Sequence, residues 1–332
     1  MRQGVLTFRW ILYGCLITLL ANACSMIRQT VVRPTANTPF LSDLRASSLN
    51  LRQIDDLQAQ SYRFMVVGHL YGTPDGDDID PDGALIQQVP ALKKMDLSMM
   101  VSLGDMVRHS TKTDFNRLKE MLLDPLPYPI FNTVGNHDVQ NRALYQARFG
   151  ITYYTFRYGP VDMIFLDTVK ELCSVDSEQM AMLRRALPQA VNDPQVRHIF
   201  IFMHHTLFFQ NEVLFELKNR AAGPNSWECY GQGNFAQVMK ELVAPAAAQK
   251  PVYLFAGDVG AWGNLSPYIE RRTNPSLTMV MTGLGDLPTD STILVTVNGE
   301  SVQLEVYKLV DGSLHSIEEY TPAYWEKIGR GK

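Results

Sequence analysis

Asn136, His137 and Asp138 are consecutive, follow Gly135, and are the residues in this chain best suited to chemistry. An asparagine can hold a hard or borderline metal through its amide oxygen, and a histidine beside it can carry a proton. The aspartate that follows could orient that histidine, as carboxylates often do behind a working imidazole. Alone, the triplet is also an ordinary polar turn. It gains weight from His69, Asp105, His204 and Asp258, each of which follows an apolar run. Any one of these reads as a capped turn or a hydrogen-bonded core group. Together, in equivalent settings, they read as a site.

The elements that would position them follow from the pattern of apolar residues. Residues 62–67, 97–103, 129–134, 196–203 and 252–256 read as buried strands, with helices over 84–95 and 114–123 between the first three. That order predicts a layered α/β sheet. In such sheets ligands collect beyond the carboxyl ends of the strands, so residues scattered from 69 to 258 are expected at one edge. Residues 153–158 and 163–167 form a hairpin-like pair around Gly159-Pro160. A helix over 177–187 is capped near Asp176 or Ser177 and stopped by Pro188. A helix near 234–243 and strands over 277–281, 292–297 and 302–309 complete the pattern.

With 332 residues, 46% hydrophobic and 19% charged, the chain can bury a sizeable core and lacks the composition of a disordered protein. Its net charge of −4 shows no basic footprint for nucleic acid. Arg2 and Arg9 precede an apolar run over 11–20, short for a membrane span, which ends in Ala21-Asn22-Ala23 and then Cys24. Signal cleavage, lipid attachment at Cys24, and retention as a membrane anchor through residues 1–24 all imply export to the periplasm or envelope. Residues 1–23 are therefore read as a signal peptide or anchor, 24–60 as a linker, 61–311 as the folded domain and 312–332 as an extension. Cys173 and Cys229 could pair in an oxidising compartment or stay as buried thiols.

Gly104-Asp105, Gly135-Asn136-His137-Asp138 and His204-His205, with the stretches 153–156 and 164–167 and the Gln179 helix, resemble the calcineurin-like metallophosphoesterase superfamily over residues 62–309. The resemblance implies an α/β fold, a four-layer sandwich of two mixed β-sheets flanked by helices. It implies a divalent metal centre (Mn, Fe, Zn or Mg) in which Asp105 bridges two ions and Asn136 and His204 bind the second. His137 would protonate the leaving oxygen of a phosphoric ester. The sequence departs from the family at both ends of the site. His69-x-Tyr71 stands for Asp-x-His, and Gly257-Asp258-x-Gly260 for Gly-His-x-His. The expected ligands are then His69, Asp105, Asn136, His204 and Asp258, with Tyr71 useful only as a phenolate. That set predicts one tightly held ion and at most one weakly held one.

The expected function is metal-dependent hydrolysis of a phosphoric mono- or diester, on a phosphorylated small molecule or an envelope component. The competing class is an inactive envelope binding or assembly module that keeps the fold. Some further features have two readings each. Arg108 could offset phosphate charge or lie solvated on the surface. His205 reads as support for His204. Residues 78–83 open like a calcium loop, but Val89 stands where the closing glutamate belongs, and an acidic helix cap explains them as well. Tyr253, Phe255, Trp262 and Tyr268 could line a pocket or pack in the core.

Overall fold

The computed structural model describes residues 48–73, 77–222, 229–230, 232–260 and 265–330. The expected signal or anchor, Cys24 and Trp262 lie outside the described residues. Among the described residues, no helix is long and apolar enough to cross a membrane.

The strands in chain order are β1 (Ser61–Val67), β2 (Met99–Ser102), β3 (Ile130–Asn132), β4 (Tyr154–Tyr158), β5 (Val161–Phe165), β6 (His198–Met203), β7 (Val252–Ala256), β8 (Tyr268–Thr273), β9 (Ser276–Met281), β10 (Ser291–Asn298), β11 (Ser301–Lys308) and β12 (Leu314–Ser316). They form two six-stranded mixed sheets, β12-β11-β10-β1-β2-β3 and β4-β5-β6-β7-β9-β8. Strands β1, β2 and β3 run parallel, as do β5, β6, β7 and β9, and antiparallel strands close the edges. The helices are α1 (Gly83–Leu92), α2 (Lys112–Leu118), α3 (Arg142–Phe149), α4 (Ser177–Asn192), α5 (Glu212–Ala222), α6 (Phe235–Val238), α7 (Ala244–Ala247) and α8 (Pro322–Arg330).

Alternation along β1 shows why both sheets are covered twice. Tyr62, Phe64 and Val66 enter the core shared with the second sheet, while Met65 and Val67 face Leu85 and Val89 of α1 and Phe115 of α2. Burial on both faces turns the parallel strands into nearly continuous apolar runs. Between the sheets, Phe202 stacks on Phe165 and Phe255 with centroids 4.8 and 5.1 Å apart. Met180, Leu183 and Leu187 of α4 cover the far face of the second sheet. The result is the expected four-layer sandwich. Tyr253, Phe255 and Tyr268 belong to this core.

Several local expectations are modified. Helix α4 runs through Pro188 to Asn192, because Leu187 and Ala190 continue its buried face on either side of the proline. The segment after Asp311 adds β12 to the first sheet and ends in α8, whose buried Trp325 donates from Nε1 to the Pro267 carbonyl at 3.1 Å. Upstream of β1, Leu49 N–H donates to Ile130 O at 2.7 Å, tying part of the expected linker to β3. Cys173 and Cys229 form a disulfide.

The acidic loop over 78–83 does not converge like a calcium loop. Asp80 pairs with Arg117, while Asp82 caps α1 through Leu85 N–H at 2.8 Å. Asp82 is buried, accepts from Asp286 N–H at 3.0 Å, and hydrogen-bonds with Asp290. Burial first, and then the Asp290 charge, push Asp82 up to about 8. The folded pair therefore holds a proton that unfolded carboxyls release above ~3.9. Its stabilising contribution is fully present below that value and is lost as pH rises through about 8. Asp290→Asn can still accept from Gly285 and Leu287 and can donate to Asp82 without needing the proton. Its melting temperature is expected to gain on wild type as pH rises from 5 to 8, and a gap that stays constant with pH contradicts the shared proton.

Candidate active site

His69, Asp105, Asn136, His204 and Asp258 all lie just beyond the carboxyl ends of parallel strands, β1, β2, β3, β6 and β7 respectively. The two sheets bring these ends together. His69 Nε2 and His204 Nε2 each lie 3.6 Å from Asp105 Oδ2, and His204 Nε2 lies 3.9 Å from Asp258 Oδ1. One potential ligand atom from each of His204, His205 and Asp258 lies within 4.8 Å of the others. His205, expected only to support His204, is itself placed among potential ligand atoms. In the structure its Nδ1 meets the Thr168 hydroxyl at 2.9 Å, which leaves Nε2 for a metal, and burial lowers its pKa toward the neutral, ligating form.

The loops carrying these groups are tightly constrained. His69 and Asp105 take left-handed backbone angles, φ +55° and +53°, uncommon for residues with a side chain and frequent at functional sites. Gly104 and Gly135 allow the close approach that this needs. A Cβ on Gly104 would lie 2.4 Å from Gly135 N, and one on Gly135 would lie 2.1 Å from Asp105 Oδ1.

Asp138 has a different role from the one expected of it. Its carboxyl accepts from the backbone N–H groups of Asp105, Met106 and Gly135 at 2.9, 2.8 and 2.9 Å, locking the β2 and β3 loops together. His137 is held instead by the Arg108 carbonyl, 2.7 Å from its Nδ1, while its own N–H donates to Asp105 Oδ1 at 3.0 Å. Asn136 is half-buried between Gly135 and His137, whose backbone N–H groups are both fixed by these carboxyls. Burial pushes Asp105 and Asp138 above the ordinary carboxyl range, and Asp258 adds to the effect on Asp105. A cation at the site would reverse that cost by favouring the ionised forms.

The two positions that depart from the family pattern have clear surroundings. Burial, and then the Asp105 charge, push the Tyr71 hydroxyl well above the usual range, which opposes the phenolate form that a metal needs. At Gly260, with φ +113°, a Cβ would lie 2.6 Å from the Gly283 carbonyl oxygen, so a histidine has no room there. Arg108 is buried, with Nε donating to Asp78 O at 2.7 Å and a second nitrogen to Thr73 O. It braces the loop after Tyr71 and is not a solvated surface group.

The chain matches no sequence-family model and no curated protein. Its structure is similar to the purple acid phosphatase from yellow lupin (Lupinus luteus) seeds, with TM-score 0.51, 12% identity and coverage of 79% of this chain and 54% of the lupin one. This chain has the calcineurin-like metallophosphoesterase fold. It thus spans about half the length of the lupin phosphatase. The phosphoesterase fold is shared equally with GAP50, the anchor in the inner membrane complex of Plasmodium, at TM-score 0.51 and 10% identity over 82% of this chain and 95% of that one.

Proposed function

We propose that the protein is an exported, metal-dependent phosphoesterase that hydrolyses a phosphoric mono- or diester of a small molecule or envelope component. The observation that carries this reading is His204 Nε2. It is buried, has no hydrogen-bond partner among the described residues, and lies 3.6 and 3.9 Å from two carboxylates. A buried imidazole nitrogen facing carboxylates suits a cation. Two histidines with two carboxylates favour zinc, manganese or iron over magnesium. Asp105, His204, His205 and Asp258 would hold the ion, with Asn136 offered from the β3 loop and His69 sharing Asp105 Oδ2 with His204. When bound, a divalent ion supplies Lewis acidity toward the phosphoryl oxygen and lowers the pKa of water. The chain's own groups do the rest. Asp138 fixes the ligand loops, and His137, anchored through Nδ1, presents Nε2 to give a proton to the departing alkoxide.

Export is supported by the charged and apolar start of the sequence and by the Cys173–Cys229 disulfide, a bond that persists in oxidising compartments. N-terminal analysis of envelope protein is expected to find a chain starting at or near Cys24; cytoplasmic protein keeping Met1 contradicts export. For the activity, purified protein supplied with Mn²⁺ is expected to hydrolyse an aryl phosphate ester, and His204→Ala to lose that turnover. The closed geometry at Gly260 and the likeness to GAP50, an anchor, favour a second reading as a non-catalytic envelope module. Metal retention without turnover on any mono- or diester would select that reading.

A further inference from the structure

Tyr71 stands where the resemblance calls for a metal-binding histidine, yet its hydroxyl meets His137 Nε2 at 3.4 Å. The other nitrogen of that ring, Nδ1, faces the Arg108 carbonyl at 2.7 Å. A carbonyl oxygen can only accept, so Nδ1 carries the hydrogen and Nε2 of the neutral ring is the acceptor. Tyr71 O–H must then be the donor. The phenol is held firmly in that orientation. Its ring centroid lies 4.3 Å from His69 and 4.8 Å from His137, the Arg108 guanidinium lies 5.4 Å over its face, and the Tyr71 backbone N–H donates to Asp105 O at 3.2 Å. With a relative exposure of 4%, it has little freedom to turn elsewhere.

We infer that Tyr71 is a positioning residue for His137, a hydroxyl that has taken over a metal-ligand position and fixes the tautomer and direction of the proton-donating ring. The inference rests on the phosphoesterase reading for its consequence, though not for its geometry. When His137 is protonated, Nε2–H donates to the Tyr71 oxygen until a leaving oxygen takes that place. The Nε2–H bond then breaks as the alkoxide O–H bond forms and the P–O bond is lost. The neutral ring returns to accepting from Tyr71.

Two measurements test this. In zinc-loaded protein with ¹⁵N-labelled histidine, His137 is expected as the Nδ1–H tautomer. In Tyr71→Phe, which keeps the ring packing, only its Nε2 resonance should move, toward that of an unbonded ring nitrogen. In turnover, Tyr71→Phe is expected to lower kcat about 10-fold with KM and metal content unchanged, the scale of one hydrogen bond. An Nε2–H tautomer in wild type, an unmoved Nε2 in Tyr71→Phe, or metal lost in step with turnover would overturn the assignment. The spectrum needs no catalysis, so a wild type that binds zinc but hydrolyses nothing refutes the catalytic reading while the resonance still decides the Tyr71–His137 contact.

Discussion

His137→Ala is expected to lower turnover by ~10² or more while metal content stays at the wild-type level. The reason lies in which atoms of His137 do what. Its ring touches the Arg108 carbonyl and the Tyr71 hydroxyl, while its link to the metal-side carboxylate runs through the backbone N–H to Asp105 Oδ1 at 3.0 Å. Alanine keeps that N–H. Asp138 continues to fix Gly135 and Asp105, so the ligand loops keep their shape. Only the proton donor is removed, and the loss should fall on kcat for esters with poor leaving groups more than for activated aryl esters. Elemental analysis beside steady-state kinetics reads both quantities. Metal lost in parallel with turnover would make His137 a ligand and remove it from acid chemistry.

The strand ends were legible in the sequence because sheets covered on both faces make the parallel strands apolar almost throughout. The apolar runs of β1, β2, β3, β6 and β7 are each followed within three residues by a glycine or histidine, which puts five metal-capable residues at one edge. Edge elements were harder to see. Strand β8 buries only its first two residues and continues through Glu270, Arg271 and Arg272, and β12 is exposed along its three residues, so neither shows an apolar run. Helix α3 is too short for its two buried residues, Tyr145 and Phe149, to establish a period.

Within the site, the roles of Asp138 and His205 depend on backbone partners and chain direction. Asp138 sits next to His137 in sequence, but its partners are three backbone N–H groups from the β2 and β3 loops, which no residue pattern displays. Successive side chains on a strand point to opposite faces, which argues against two neighbouring histidines sharing a site. His204 and His205 lie past the end of β6, where that alternation no longer applies, and both reach Asp258. The sequence showed that Gly260 lacks a donor. Only the closeness of the Gly283 carbonyl shows that no donor fits there.

After dialysis the protein is expected to retain about one equivalent of divalent metal, most of it lost in Asp258→Ala and less in His69→Ala. The asymmetry follows from how many donors the β6–β7 loops and the β1 loop each bring to Asp105. On the β6–β7 side, His204 Nε2 lies between Asp105 and Asp258 at 3.6 and 3.9 Å, and His205 contributes a second buried imidazole. Four protein ligands are enough for a stable centre with water completing the shell. On the β1 side, His69 shares Asp105 at 3.6 Å, Tyr71 is turned to His137 and kept protonated by burial, and Gly260 has no room for a donor. An ion there would have two protein ligands and would exchange readily. Removing Asp258 takes away one of the two carboxylates that face His204 Nε2, so affinity should fall by far more than when His69 is cut back. Elemental analysis of wild type, Asp258→Ala, His205→Ala and His69→Ala after the same dialysis separates the cases. His205→Ala should fall between the other two, because it removes a ligand but leaves both carboxylates. Two tightly retained equivalents in wild type would overturn the count of one strong centre, and retention in Asp258→Ala with loss in His69→Ala would place that centre on the β1 side and reverse the ligand assignment.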